Sequence, residues 1–171
     1  MKAARQLGRE IAKRGYGLVY GGASIGLMGE VANAVMAAGA DAIGVIPERL
    51  SKELAHGGLT KLYTVITMHE RKALMYELSD FFIALPGGFG TLDEIFEAVT
   101  WAQLGYHPKP CGLLNTAGYY DELLAFLKKS VKQRFIRKEH FEMLHVAKSP
   151  ASLIEKMSDY RPPVIKKWQA G

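Results

Sequence analysis

The stretch "FFIALPGGFGTLDEIFEAVTWAQLG" (residues 81–105) joins three patterns that together decide the fold. A short apolar run ends at Pro86, glycines follow at positions 87, 88 and 90, and helical spacing of apolar residues begins near Thr91. An apolar strand that enters a helix through glycines is typical of a parallel sheet covered by helices. The stretch therefore predicts one strand, turn and helix of an α/β fold.

The same alternation continues along the rest of the chain. We predict strands in the runs "GLVYGG", "AIGVIP", "LYTVIT", "FFIALP", "CGLLN" and "MLHVA". We predict helices at 3–14 and in "LMGEVANAVMAAG", "HERKALMYELS", "TLDEIFEAVTWAQLG", "YYDELLAFLKKSVKQRF" and "PASLIEKMS". Short strands separated by helices predict an α/β fold with a doubly wound, mostly parallel sheet of the Rossmann-like class.

The length and composition of the chain suit a single domain. Its 171 residues, 49% of them hydrophobic, predict one domain over residues 1–160 and a basic C-terminal tail over 161–171. No apolar run approaches the roughly 20 residues that span a bilayer, so we expect a cytoplasmic protein with no membrane partner. The single cysteine, Cys111, excludes an internal disulfide and is expected in the core.

The chain opens directly with a predicted helix, whereas doubly wound sheets usually begin with a strand. We therefore expect either an N-terminal strand that this sequence lacks or an architecture that begins with the helix.

The positive charge of the chain does not follow a nucleic-acid motif. The formal net charge is +5, and many cations lie in "LKKSVKQRFIRKEH" (127–140) and "RPPVIKKWQAG" (161–171). Both segments are typical of solvated faces, so we expect an anionic small molecule, not nucleic acid, as the partner. The five histidines lack the spacing of metal ligands, and no metal is expected.

Two glycine loops are candidate anion sites, since each lies between a predicted strand and a predicted helix. The first contains Gly21 and Gly22, and the second contains the glycines at 87, 88 and 90. Free backbone N–H groups and the helix dipole favour anions at such places. Neither loop fits G-x-G-x-x-G or the P-loop, so a dinucleotide site or an ATPase is disfavoured. The loops would bind phosphate through the backbone, with Thr91 as a hydroxyl donor.

Both candidate segments also have a simpler interpretation. Thr91 and Glu94 fit the capping box T-x-x-E, in which they only stabilise a helix N-terminus. Arg71 and Lys72 in "MHERK" (68–72) lie where the helix dipole favours acids, which indicates an anionic partner, but a solvated pair is an alternative.

The motifs "PGGFGTLDE" and "MHERK" resemble PGGxGTxxE and MHxRK of the LONELY GUY family of cytokinin riboside 5′-monophosphate phosphoribohydrolases, often labelled lysine decarboxylases. The resemblance extends through "GLVYGGASIGLMGEVANAV", "VIPERL", "VTWAQLG" and "GLLNTAGYYDELL". It implies hydrolysis of the N-glycosidic bond of N6-modified or plain adenosine 5′-monophosphates, as in an AMP nucleosidase. The products would be the free base, a cytokinin or adenine, and ribose 5-phosphate, with no cofactor. It also implies a homodimer or an assembly of dimers.

The resemblance assigns roles to particular residues. It implies that Arg71 and Glu94 are catalytic. The implied substrate-binding positions are Glu53, Lys72, Gly88, Phe89, Gly90, Thr91, Leu92, Asp93 and Thr100, to which the first glycine loop adds Gly21 and Gly22. Family members carry an N-terminal strand that ends in a glycine–serine turn, and contacts from that turn are not expected here.

These residue types suit the implied chemistry. Breaking a glycosidic bond develops positive charge on the sugar, which the carboxylate of Glu94 would stabilise. Arg71 would hold the phosphate or a ribose hydroxyl, and Lys72 would supply a second charge. The group that assists departure of the base is left open, with Asp93 as a candidate.

Two alternatives to this enzyme remain. A non-catalytic nucleotide-binding or carrier protein could share the fold. An amino-acid decarboxylase of the pyridoxal type would need a Schiff-base lysine with its partners, for which no lysine has the context.

The helix after the second glycine loop has an apolar stripe that is too broad for one face. Its members are Ile95, Phe96, Val99, Trp101, Ala102 and Leu104. A dimer contact around Trp101 or a deep core position would explain it.

Overall fold

The computed structural model describes residues 1–163 as two compact units, one over Met1–Ser79 and one from Asp80 onward. The elements of the first unit are α1 (Lys2–Lys13), β1 (Leu18–Tyr20), α2 (Gly26–Ala37), β2 (Ala42–Pro47), α3 (Glu48–Leu54), β3 (Lys61–Val65) and α4 (Met68–Leu78). Those of the second are β4 (Phe82–Ala84), α5 (Phe89–Leu104), β5 (Cys111–Leu114), a 3-10 turn (Thr116–Gly118), α6 (Asp121–Lys132), α7 (Lys138–Glu142), β6 (Leu144–Ala147) and α8 (Pro150–Ser158).

The first unit is built on a parallel sheet with the order β1-β2-β3. Its central strand is almost wholly buried, with Val45 and Ile46 at 0% and 2% exposure. Helices α1 and α2 pack against each other through Gly8, where a Cβ would meet the side chain of Ala34 and the backbone of Val31. Leu7 lies on this buried face of α1, as its helical spacing predicts.

The second unit repeats the plan with a parallel sheet in the order β4-β5-β6. Every residue of β5 is buried, and Gly112 in this strand lets Leu153 and Met157 of α8 approach closely. Cys111 is only 1% exposed, and burial raises the pKa of its thiol to about 12. The prediction that this cysteine is a core residue is confirmed.

The predicted α/β class is confirmed, with all six predicted strands and all six predicted helices present among residues 1–163. The strands are all parallel to their neighbours and form two three-stranded sheets. The sequence interpretation missed α3 and α7, which have seven and five residues. The domain boundary at residue 160 and the additional N-terminal strand stay predictions. From residue 164 onward, the predicted tail lies outside the residues that the structure describes.

The start of α5 differs from its prediction. The helix begins at Phe89 with Gly88 as its N-cap, so Thr91 is the third residue inside the helix and does not cap it. The capping-box interpretation of Thr91 and Glu94 is therefore wrong.

Of the helices within residues 1–163, none has both the length and the apolar character needed to cross a membrane.

Candidate active site

The first glycine loop follows β1 and holds the side chain of Arg71. A Cβ on Gly21 would collide with the guanidinium of Arg71, so only glycine leaves room for this group. The Nε of Arg71 donates a hydrogen bond to the carbonyl oxygen of Val45 at 3.0 Å. Arg71 is half-buried, which contradicts the interpretation of a solvated cation. The loop and strand β2 together fix the direction of the guanidinium.

Helix α4, which carries Arg71, has its own capping box immediately before it. The hydroxyl of Thr67 accepts a hydrogen bond from the N–H of Glu70 at 3.1 Å, and the Glu70 carboxylate accepts one from the N–H of Thr67 at 3.3 Å. Glu70 supplies the acid that the helix dipole favours in the first turn. Arg71 and Lys72 are the next two residues, so the capping box stabilises the start of the helix that carries both cations.

The first glycine loop is also tied to the end of α3. The N–H of Ser24 donates to the carbonyl of Leu54, and the N–H of His56 donates to the carbonyl of Gly22, both at 2.9 Å. The predicted binding residue Glu53 lies exposed on this end of α3. Gly22 is buried with a φ of +74°, and a Cβ there would crowd Ile46. In the first unit the structure therefore groups the glycine loop, the end of α3 and Arg71.

The second glycine loop, between β4 and α5, is open. No atom lies within 4 Å of the Cβ positions of Gly88 and Gly90, and the side chain of Phe89 is 94% exposed. The first N–H groups of α5 have no partner inside the helix, which makes this end a site for an anion. Gly87 lacks the side chain that would collide with Thr91, so the threonine packs back onto the loop.

The other predicted residues of the second unit lie along α5. Glu94 is half-buried and Asp93 is exposed. Leu92 is half-buried, and its N–H donates to the carbonyl of Gly88 at 3.1 Å within the helix. The exposed Thr100 donates its hydroxyl to the carbonyl of Phe96 at 2.7 Å, one helical turn earlier. Gly88 to Glu94 are thus brought together at one helix end, while Thr100 lies further along the same helix.

Sequence interpretation missed two residues that contact the second glycine loop. The hydroxyl of Tyr119 donates to the carbonyl of Gly87 at 2.8 Å, and that of Tyr120 donates to the carbonyl of Leu85 at 2.5 Å. Both tyrosines lie in "GLLNTAGYYDELL", which carries part of the family resemblance. That shared stretch was the available signal, but nothing local in it points to a loop more than 30 residues earlier.

A groove between α1 and α2 contains none of the predicted site residues. It has a volume of about 340 Å³ and is lined by Arg5, Arg9, Glu30, Asn33 and small residues. Arg5 and Glu30 form an ion pair at 2.5 Å, and this hydrogen bond lowers the pKa of the Glu30 carboxyl. The carboxylate of Glu30 offsets the charge of Arg5, while Arg9 also lines the groove.

Comparison with known proteins gives close relatives along most of the chain. A family model described as "Possible lysine decarboxylase" matches residues 28–157. A probable cytokinin riboside 5′-monophosphate phosphoribohydrolase of Oryza sativa subsp. japonica is 49% identical over 94% of this chain. The chain spans 66% of the length of that relative. A cytokinin riboside 5′-monophosphate phosphoribohydrolase of Arabidopsis thaliana is 48% identical over 94% of this chain and 76% of its own length.

Solved structures with the same fold are more distant in sequence. A molybdenum cofactor binding protein from Rippkaea orientalis has a TM-score of 0.69 and 27% identity, over 92% of this chain and 85% of its own. The molybdenum cofactor carrier protein of Chlamydomonas reinhardtii has a TM-score of 0.67 and 25% identity, over 92% of this chain and 84% of its own.

Proposed function

The chain belongs to the LONELY GUY family, within the group described as possible lysine decarboxylases, and on that premise we propose that it is a phosphoribohydrolase. It hydrolyses the N-glycosidic bond of adenosine 5′-monophosphates, including N6-modified ones, and releases the free base and ribose 5-phosphate. Curated relatives that are 48–51% identical carry this activity in their names.

One observation carries the proposal: helix α5 presents open N-terminal amides and the carboxylate of Glu94 on the same rigid element. Glu94 lies five positions after Phe89, which is roughly 7.5 Å along a helix axis. That spacing is on the scale of a ribose 5-phosphate group. A phosphate bound at the amides therefore brings the anomeric carbon into the region of Glu94.

Glu94 stabilises the positive charge that develops on the sugar and orients the attacking water. Arg71, fixed by Gly21 and Val45, binds the phosphate or a ribose hydroxyl through its planar guanidinium. Lys72 supplies a second positive charge. Glu53 and Thr100 complete the substrate contacts, and Asp93 is the candidate for assisting departure of the base.

The experiment that tests the function is incubation with AMP and with N6-isopentenyl-AMP, followed by chromatography for the free base. We expect both substrates to yield base and ribose 5-phosphate in equal amounts. Intact nucleotide after prolonged incubation with folded protein would contradict the proposal. The ratio of the two rates gives the base preference.

A non-catalytic nucleotide-binding or carrier protein on the same fold is a second candidate, favoured by the solved structures of molybdenum cofactor proteins. These neighbours are 25–27% identical, against 48–51% for the phosphoribohydrolases. A carrier binds its ligand unchanged and has no need of Glu94 together with Arg71. Release of free base separates the two candidates.

The protein acts in the cytoplasm as a homodimer or an assembly of dimers, with the end of α5 near the contact. The apolar stripe on this helix supports the dimer, since Trp101 is half-buried and Leu104 is 40% exposed. Tyr106, just after the end of the helix, is 76% exposed. Light scattering across a range of protein concentrations tests this part. A monomer mass at every concentration would contradict it.

A further inference from the structure

The segment between β5 and α6 holds the second glycine loop by two hydrogen bonds. Tyr119 donates to the carbonyl of Gly87 and Tyr120 donates to the carbonyl of Leu85. We propose that Tyr119 and Tyr120 are positioning residues that set the direction of the amides at the start of α5. This inference rests on the proposed function, because those amides are the ones assigned to the substrate phosphate.

The two acceptor carbonyls lie where they control the helix start. Leu85 follows strand β4 directly, and Gly87 precedes the N-cap Gly88. Gly88 and Gly90 have no neighbours within 4 Å of their Cβ positions, so side-chain packing at these glycines does not fix the loop. The tyrosine hydroxyls supply the restraint that packing at the glycines does not.

The turn that presents the tyrosines has an uncommon backbone. Ala117 and Gly118 both lie in the left-handed region, with φ values of 54° and 73°. This region is unfavourable for alanine, so the surrounding structure must hold the turn in place. A Cβ on Gly118 would collide with the carboxylate of Asp121. The two left-handed residues therefore shape the chain immediately before Tyr119.

Asn115 anchors this turn to the sheet. Its side-chain oxygen accepts a hydrogen bond from the N–H of Tyr120 at 2.8 Å, and its amide nitrogen donates to Asp121 at 2.7 Å. Its own N–H donates to the carbonyl of Ala147 in β6 at 2.8 Å. Asn115 is only 4% exposed, so these bonds are shielded from water. Asn115 thus links the turn that carries the two tyrosines to the rigid sheet.

The two tyrosines differ in burial, and this difference allows positioning to be separated from folding. Tyr120 is 1% exposed, so its loss would leave the carbonyl of Leu85 without its donor and would also destabilise the fold. Tyr119 is 55% exposed, and its ring packs edge-on against Tyr120 with centroids 5.0 Å apart. Tyr119→Phe keeps this ring contact and removes only the hydrogen bond to the loop.

The test compares Tyr119→Phe with Tyr160→Phe, which makes the same change at a half-buried tyrosine that contacts His145. We would measure kcat and KM for AMP and adenosine, the Kd for ribose 5-phosphate, the thermal midpoint, and hydrogen exchange in residues 87–91. We expect Tyr119→Phe to lower kcat/KM for AMP by about tenfold, mainly through KM, and to weaken ribose 5-phosphate binding similarly. Adenosine, which brings no phosphate, should lose less. Hydrogen exchange in residues 87–91 should be faster, with a thermal midpoint close to that of Tyr160→Phe.

The outcomes separate this inference from the proposed function. Wild-type kinetics and binding in Tyr119→Phe would overturn the positioning role while the activity stands. Wild-type protein that binds ribose 5-phosphate but cleaves no nucleotide would overturn the function, and the binding ratio of the variant would still decide the positioning role. An equal loss of kcat/KM for AMP and adenosine would also overturn the positioning role, since the effect would not act through the phosphate. Wild-type protein that neither binds nor cleaves would overturn both.

Discussion

The two glycine loops follow the same order of strand, paired glycines and helix, yet the structure uses their glycines in different ways. In the loop after β1, Gly21 is buried against the guanidinium of Arg71, and Gly22 packs on β2. In the loop after β4, Gly88 and Gly90 are exposed with open space around them. In the first loop a side chain of the protein fills the space beside Gly21, whereas the space beside Gly88 and Gly90 is open and, in the proposed function, receives the substrate phosphate. The paired-glycine pattern alone does not distinguish these uses.

The largest expected effect concerns Glu94, which lies on α5, the helix that follows the second, open glycine loop. Glu94→Gln keeps the shape of the side chain and removes the charge that, in the proposed function, stabilises the sugar. We expect turnover of AMP to fall by about a thousandfold or more, roughly 4 kcal/mol of transition-state stabilisation. The matched control is Glu97→Gln, the same change one turn later on α5, which should stay active. A folded Glu94→Gln variant with full activity would end the catalytic assignment.

The second prediction tests whether the open loop holds a phosphate. Charge-assisted hydrogen bonds to phosphate are each worth on the order of 1.5 to 3 kcal/mol, and the amides of the open loop would provide several. This binding energy also positions the ribose at Glu94, so adenosine should lose turnover as well as affinity. We expect kcat/KM to be at least about a hundredfold lower for adenosine than for AMP, roughly 2.7 kcal/mol.

The measurement compares adenosine, AMP and ATP, each with and without the N6-isopentenyl group, at one enzyme concentration. ATP should also be poorer than AMP if the loop binds a single terminal phosphate. Equal cleavage of adenosine and AMP would show that the open loop is only a helix start, and the contrast between the two loops would lose its functional meaning.

The fold was largely predictable from sequence because each strand is a short apolar run bounded by glycine, proline or polar residues. The two missed helices lack the signal that a helix needs. Helix α3 has seven residues with two apolar ones, Leu50 and Leu54, which is too short a pattern to predict a helix, and α7 has only five residues. The start of α5 was misplaced because T-x-x-E occurs twice, at Thr91 and at Thr67, and only the second forms a capping box. Local spacing could not choose between them.

The motifs propose the residues of the site, whereas the contacts around those residues come from the fold. The motifs identified Arg71 and Glu94, yet the contact of Gly21 with Arg71 joins positions 50 residues apart and depends on the packing of α4 on β1 and β2. The bonds from Tyr119 and Tyr120 to the open loop span 32 and 35 residues. Such contacts come from the arrangement of parallel strands, and no local pattern encodes them.

The third prediction tests the first glycine loop, which follows β1. Gly21→Ala places a methyl group against the guanidinium of Arg71, which must move and lose its hydrogen bond to Val45. The end of a flexible side chain can shift without unfolding the protein, so the thermal midpoint should fall only slightly. We expect kcat/KM for AMP to drop by about thirtyfold, because a small displacement of a positioning charge has a large effect on rate. Full activity in this variant would show that the close contact does not position Arg71.

The smallest expected effect on activity is at Gly90, in the open loop. Unlike Gly21→Ala, a substitution at Gly90 should not lower stability. Gly90→Ala adds a methyl group where no atom lies within 4 Å, in the first turn of α5. Alanine is a better helix former than glycine by roughly 0.5 to 1 kcal/mol, so the thermal midpoint should rise or stay unchanged. We expect KM for AMP to rise by about fivefold, because the methyl group reduces access to the amides that bind phosphate. Gly57→Ala is the control, since like Gly90→Ala it adds a methyl group to open space, but it lies in neither glycine loop. If Gly90→Ala binds AMP as tightly as wild-type protein, the ligand does not approach the backbone at this position, and the openness of the second loop serves another purpose.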